Sequence, residues 1–239
     1  MNSVAETMAT KDTIGLQEKA ALFENARGFE DLPTHALHEI AGLAFAKKFT
    51  KGEIIFSPNE PCLYFYLVMS GLVKVSIYAS SGFSLTYLLA EEGEPLNLVS
   101  PFTGALRSTS AEAMKEVLLL CVKTDGFMSF AFKHPSIFIN TISILGKAVD
   151  SANLRIIDMV EKRVEQRLAR VLYTLYDKFG SPIKFTSAEL AALTGTTTES
   201  TLRALGNLRR KGLVRSNRGQ THIVEPSVLT KQKIETLWF

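Results

Sequence analysis

The chain has 239 residues, of which 46% are hydrophobic and 21% charged. That is enough for one large or two modest domains, each with its own core. No run of 18 apolar residues and no charged-then-apolar leader occurs, so the reading is a cytoplasmic protein without a membrane segment. The two cysteines, Cys62 and Cys121, lack CxxC spacing, which excludes a disulfide framework, a zinc site or a four-cysteine cluster built from one chain. The net charge of +3 is unevenly spread: residues 1–154 carry 12 basic and 16 acidic side chains, residues 155–239 carry 15 and 8. A front of −4 and a back of +7 place the phosphate-seeking surface in the last third.

In chain order, residues 1–20 are polar and aperiodic and are expected to be loose. Leu37, Ile40, Leu43 and Ala44, after Pro33 and Thr34, have helical spacing and predict a short helix within Leu32–Ala46. Strands are expected at Ile54–Phe56, Leu63–Met69, Leu72–Ile77, Leu85–Leu89 and Val117–Val122, with turns such as Lys51-Gly52-Glu53, Ser70-Gly71 and Ser80-Ser81-Gly82. Regular strands with glycine-bearing turns argue an antiparallel barrel or sandwich; the expectation for residues 21–134 is an antiparallel β-barrel of the double-stranded β-helix or jelly-roll kind, in an α+β chain.

After Pro135 the apolar period lengthens to about three and a half. Phe138, Ile142, Leu145, Val149, Ala152, Ile156 and Met159 form one stripe of a helix over residues 135–163, the seam expected where a helix meets its own copy. The dimer contacts expected are Ile142, Leu145, Val149, Ala152 and Ile156. A second row, Ile144, Leu154, Ile157, Val160 and Val164, suits packing back onto the barrel.

Residues 164–239 carry the sharpest local pattern. Thr186-Ser187-Ala188-Glu189 is a capping box that starts a helix, Leu190 and Leu193 give its inner face, and Gly195 permits a tight turn. Thr197 then caps a second helix whose Leu202, Leu205 and Leu208 are expected to face inward. Leu213-Val214 and His222-Ile223-Val224 around Asn217-Arg218-Gly219 read as two strands, so the unit is a winged helix-turn-helix. Glu199 and Arg203 share a face at i and i+4, where they can read cytosine N4 and guanine O6/N7. Thr197, Thr198, Ser200 and the wing's Arg218 suit the remaining contacts with double-stranded DNA.

This order of barrel, long helix, capped helix, glycine turn, second helix and basic wing resembles the cyclic-AMP receptor protein and fumarate-nitrate regulator family of bacterial transcription factors. The resemblance covers residues 33–230. It rests on Lys51-Gly52-Glu53 before a strand, Ser70-Gly71-Leu72-Val73-Lys74-Val75 in a hairpin, Val164-Glu165-Gln166-Arg167-Leu168-Ala169 at the hinge, and Thr197-Thr198-Glu199-Ser200-Thr201-Leu202-Arg203. It implies an effector-sensing barrel and a homodimer on an inverted-repeat operator, with RNA polymerase as a candidate partner.

The departures bear on what is sensed. Nucleotide-binding members carry Gly-Glu-Leu and then Arg-Ser or Arg-Thr, the glutamate holding the ribose and the arginine the phosphate; here the stretch is Asn97-Leu98-Val99, followed by Arg107-Ser108. Without the ribose acceptor, a buried hydroxyl would lose a partner at a cost of about 1–3 kcal/mol, which disfavours cyclic AMP. The iron-sulfur branch needs an N-terminal cysteine cluster, and residues 1–50 contain no cysteine. Haem, with His35, His38, His134 and His222 as scattered ligand candidates, stays an alternative. Around Leu96–Phe102 the chain is most similar to regulators of halogenated-aromatic respiration. That similarity implies a small, largely apolar anion as effector, met by Tyr87, Arg107 and Asn153 beside Leu98. The competing enzyme reading, a metal-dependent barrel, requires a His-x-His or His-x-Asp pair on a strand, and none occurs.

Overall fold

A computed structural model describes residues 14–96, 98–161, 163–217 and 219–226. The chain divides into two compact units, one made of residues up to Val75 with Leu89–Gly146, the other of Ser76–Leu88 with the chain from Lys147 onward.

The first unit opens with helices α1 (Leu16–Glu24) and α2 (Thr34–Leu43). Helix α1 corrects the expectation of a loose segment over residues 1–20, of which residues 1–13 lie outside the described part. The physical reason is Phe23, fully buried, with Ala20 and Lys19 on the same face; the lysine stem is covered and its Nζ donates to the Ala44 carbonyl at 2.7 Å. A lysine buried with its head on a backbone carbonyl reads as polar in sequence and as core in space. Helix α2 ends at Leu43, where Ala44 turns extended and begins a strand.

The strands are β1 (Ala44–Phe49), β2 (Ile54–Phe56), β3 (Tyr64–Ser70), β4 (Val73–Tyr78), β5 (Ser84–Ala90), β6 (Pro95–Leu96), β7 (Ser110–Ala113) and β8 (Val117–Lys123). They form two four-stranded sheets, ordered β1-β8-β3-β6 and β2-β7-β4-β5. This is the expected antiparallel jelly roll. Strand β8 is central: it pairs antiparallel with β1 from Ala44↔Val122 to Phe49↔Val117 and with β3 from Tyr64↔Lys123. Leu119, Leu120, Cys121 and Val122 are all buried, so the strand reads as a continuous apolar run rather than an alternation. Gly71 at the β3–β4 turn has φ +107°, and a Cβ there would come within 2.6 Å of the Glu116 carbonyl, which leaves glycine as the residue that fits.

Between β6 and β7 lies the short helix α3 (Ser100–Thr103); after β8 come α4 (Thr124–Lys133) and the long α5 (Ser136–Glu161). The core of this unit joins Phe23, Phe29, Phe65, Phe127 and Phe130, with the Phe65 and Phe127 rings stacked 4.4 Å apart. Ile144 packs against it, whereas Leu154, Ile157 and Val160 are exposed and Val164 is half-buried.

In the second unit α6 (Val164–Phe179) follows α5. The helix break lies at Arg163, which is extended (ψ 152°) and donates its backbone N–H to Gln166 Oε1 at 3.2 Å. Residues 164–167, expected as a hinge, form the first turn of α6. Leu168, Val171, Leu172 and Leu175 give α6 a buried stripe, and Arg170 pairs with Asp158 across the break. The unit closes with α7 (Ser187–Thr194), α8 (Thr198–Arg210), β9 (Val214–Asn217) and β10 (Gln220–Ile223), whose strands pair from Asn217↔Gln220 to Val214↔Ile223. The winged helix-turn-helix therefore stands as read. No helix among the described residues is long and apolar enough to cross a membrane.

Candidate functional site

Helix α7 is set by its capping box: Thr186 Oγ1 accepts from the Glu189 N–H at 3.2 Å, and Glu189 Oε2 accepts from the Thr186 N–H at 2.6 Å. Such a box satisfies two of the donors every helix start leaves open. Gly195, at φ +72°, makes the turn. Thr197 then accepts from the Ser200 N–H at 3.2 Å and donates its hydroxyl hydrogen to Ser200 Oγ at 3.0 Å.

Helix α8 is anchored by Thr201, Ala204 and Leu208, all buried, while Leu202 is exposed and Leu205 half-buried. This corrects the expected inner face of Leu202, Leu205 and Leu208. Spacings of three and four on the buried side put small residues where α8 lies close to its neighbours. Leucines 202 and 205 instead line a groove of about 200 Å³ with Phe185 and Leu190.

The turned-out face carries Thr198, Glu199 and Arg203, with Thr197 exposed at its start. Arg203 Nη1 lies 3.2 Å from Glu199 Oε1, and its Nη2 donates to Ser200 Oγ at 3.3 Å; both charged side chains are more than two-thirds exposed. An exposed i,i+4 pair is worth only about 0.3–0.5 kcal/mol, so it orients the two heads without holding them back from a base edge. Arg218 lies outside the described residues.

Four of the five seam positions of α5, Ile142, Leu145, Val149 and Ile156, are exposed large apolar side chains, with Val149 at 55% and Ile156 at 60%; Ala152 is exposed between them.

The effector candidates do not form one described cluster. Leu98 and Arg107 belong to the first unit, Tyr87 and Asn153 to the second. Leu98 is buried in the aromatic core near Phe23 and Phe29, its Cδ2 only 3.0 Å from where a Cβ on Gly28 would sit. Asn153 is exposed and Tyr87, in β5, half-buried. Arg107 is 3% exposed. Its guanidinium lies 3.9 Å from the centre of the Phe56 ring and 5.6 Å from that of Tyr66, and its Nη2 donates to the Tyr64 carbonyl at 2.9 Å. Its Nη1 is buried and finds no partner among the described residues. The backbone is pinned as well, the Arg107 N–H donating to Glu60 O and the Arg107 carbonyl accepting from Asn59. Burial, partly offset by this cation, pushes the Tyr66 hydroxyl well above its ordinary pKa, so it is a neutral donor at any physiological pH.

The aromatic bed of Arg107 was hidden in sequence, although the alternation of Tyr64, Tyr66 and Val68 on one strand face was the signal that could have shown it. Among the histidines, His134 Nε2 is engaged by Glu39 at 3.1 Å and His222 Nδ1 by Ser181 at 3.3 Å.

Residues 46–134 match the family described as the cyclic nucleotide-binding domain, and residues 166–231 match the Crp-like helix-turn-helix domain. The CRP-like cAMP-activated global transcriptional regulator of Mycobacterium tuberculosis is 25% identical over 175 residues, 70% of this chain and 78% of that protein. The global nitrogen regulator of Synechococcus elongatus is 25% identical over 196 residues, 78% and 88% of the two chains. A solved CRP/FNR-family transcriptional regulator from Thermus thermophilus superposes with a TM-score of 0.66 at 26% identity, covering 78% of this chain and 96% of that one. With both domains matched in this order, the chain belongs to the CRP/FNR family of bacterial transcription regulators, a family of DNA-binding proteins and not of enzymes.

Proposed function

We propose that the protein is an effector-responsive regulator that reads an inverted-repeat operator as a homodimer. The observation that carries this reading is α8: a helix fixed by Thr201, Ala204 and Leu208 that turns Glu199 and Arg203 to solvent one turn from a capped N-terminus. A helix so placed presents its first turns to base edges in the major groove. The exposed stripe of α5 supports the dimer, because four large apolar side chains along one helix face are unfavourable in water and suit an isologous seam.

The effector is a small, largely apolar anion anchored by Arg107. A buried guanidinium with one nitrogen unpartnered, lying against aromatic rings, offers a charge-assisted bond to an anion and an apolar floor beneath it. Cyclic AMP fits poorly, since Leu98 occupies the ribose-acceptor position and is itself core. The experiment is a gel shift with DNA selected by the protein from a random library. Sequence-dependent retardation that falls steeply with salt supports the reading, and equal retardation of every duplex counts against it.

A further inference from the structure

Two arginines converge on the C-terminal end of α7, the point where the helix-turn-helix bends. Arg167, from α6, donates through Nε to the Thr194 carbonyl at 3.3 Å and through Nη2 to the Gly195 carbonyl at 3.2 Å. Arg155, from α5, donates through Nη2 to the Leu193 carbonyl at 2.5 Å. These carbonyls are among the acceptors a helix leaves open at its end, and cations there are favoured by the helix dipole.

The Thr194 and Gly195 contacts make Arg167 a cap of α7. Capping does not account for the other nitrogen of Arg155, which donates to the carbonyl of Thr86 in β5 at 3.2 Å. One planar guanidinium thus ties a strand of the sensing domain to the turn of the DNA-binding domain. The contact is reinforced by packing: the Cβ position of Gly195 lies 3.3 Å from Leu85 Cδ1 and 2.6 Å from Met159 Cε, so the turn sits directly on the hairpin strand and on α5. Thr86 is buried and its hydroxyl shares a 2.9 Å hydrogen bond with Ser76 on β4, so the strand end of the tie is rigid. Burial and the neighbouring Arg167 bring Arg155 down to about 10, which leaves it charged at neutral pH.

We infer that Arg155 is a positioning residue, a latch that couples the β4–β5 hairpin to the helix-turn-helix through Thr86 and Leu193. Tyr87 adjoins Thr86 in the same strand, so displacement of that strand by a bound molecule is passed to α7 and α8 through Arg155 and the Leu85 contact beside it. A two-point donor is what the role requires; a lysine, with a compact single head, cannot hold both carbonyls in a fixed geometry.

Hydrogen exchange on the full-length protein tests the latch. Arg155→Ala is expected to speed exchange at least tenfold both at residues 84–88 and at residues 193–197, with β1, β3 and β8 unchanged. Arg167→Ala opens the turn alone. If Arg155→Ala lowers protection throughout the chain, Arg155→Lys is the variant to read, and it still releases the hairpin. Unchanged exchange at residues 84–88 in both variants overturns the proposal and reduces Arg155 to a helix cap.

The second arm rests on the DNA-reading proposal and uses a 40-base-pair duplex enriched by the wild-type protein from a random library. Leu85→Ala and Arg155→Ala each change its Kd at least fivefold in one direction, and the double variant stays within twofold of Arg155→Ala. Multiplying effects would mean that hairpin and arginine act independently, which contradicts the latch. Failure of the wild type to enrich any sequence would instead count against DNA reading, and the exchange result would still decide the latch.

Discussion

Arg203→Ala separates base reading from folding because the structure assigns very different magnitudes to the two. In the free protein the guanidinium makes an exposed ion pair with Glu199 at 3.2 Å and a hydrogen bond to the Ser200 hydroxyl at 3.3 Å. Together these are worth about 0.5 kcal/mol, and the anchoring face of Thr201, Ala204 and Leu208 is untouched, so thermal unfolding moves by no more than a few degrees. On DNA the same side chain, paired with guanine O6 and N7, supplies about 1–3 kcal/mol, roughly a 5- to 150-fold loss of affinity on truncation. The assay is a Kd series on the selected duplex and on every single-base variant of one half-site. Arg203→Ala should lose most affinity on the intact site and become indifferent to one base pair. Equal weakening on every duplex, with the preference at each position retained, would refute base readout and make Arg203 a phosphate contact.

Val149→Asp or Ile156→Asp should leave helix content unchanged, since both positions are exposed in the single chain, but should yield monomers in sedimentation at micromolar concentration; persistent dimers would remove the seam from α5. Cyclic AMP should leave DNA affinity within twofold and release no heat in calorimetry, and a tenfold gain would show that Leu98 does not exclude the nucleotide. A chlorinated phenolate used as probe should bind the wild type and not Arg107→Ala, and retained binding would place the anion elsewhere. Acid should weaken the second unit partly through Glu165, whose carboxyl Lys211 and Asn207 hold below the ordinary range. Its folded pKa is lowered, so its contribution is complete above the ordinary carboxylate pKa of about 4.3 and is lost as pH falls through the folded value. Melting between about pH 5 and about pH 3 should therefore fall less in Glu165→Gln than in the wild type, and parallel curves would show that the Lys211 pair carries no stability.

What the sequence showed and what it hid follow physical lines. Capping boxes, glycine turns and β-branched runs are local, and they locate α7, the turn, the start of α8, five strands of the jelly roll and both wing strands. Strands β1, β6 and β7 lack such a signal: Ala44–Phe49 and Ser110–Ala113 are rich in alanine, lysine and serine and become extended by pairing with β8 and β2, and Pro95–Leu96 is a two-residue strand paired with β3. Helix α1 was missed because a buried lysine does not read as core. The inner face of α8 departs from its sequence pattern for the opposite reason: leucine reads as buried, yet Thr201 and Ala204 are the buried residues and Leu202 is exposed. In the candidate site, the polar residue types were legible, but Arg107's aromatic bed and Arg155's two-point contact are set by residues 38 to 69 positions away in sequence, beyond the reach of spacing.

The central claim, a two-fold reader of DNA, is tested most directly by enriching bound duplexes from a random library and sequencing them. The account predicts an inverted repeat whose half-sites are centred about one helical turn apart, with a guanine in each half whose replacement costs the most affinity. Enrichment of a single unrepeated site, or of no sequence above the starting pool, would contradict it.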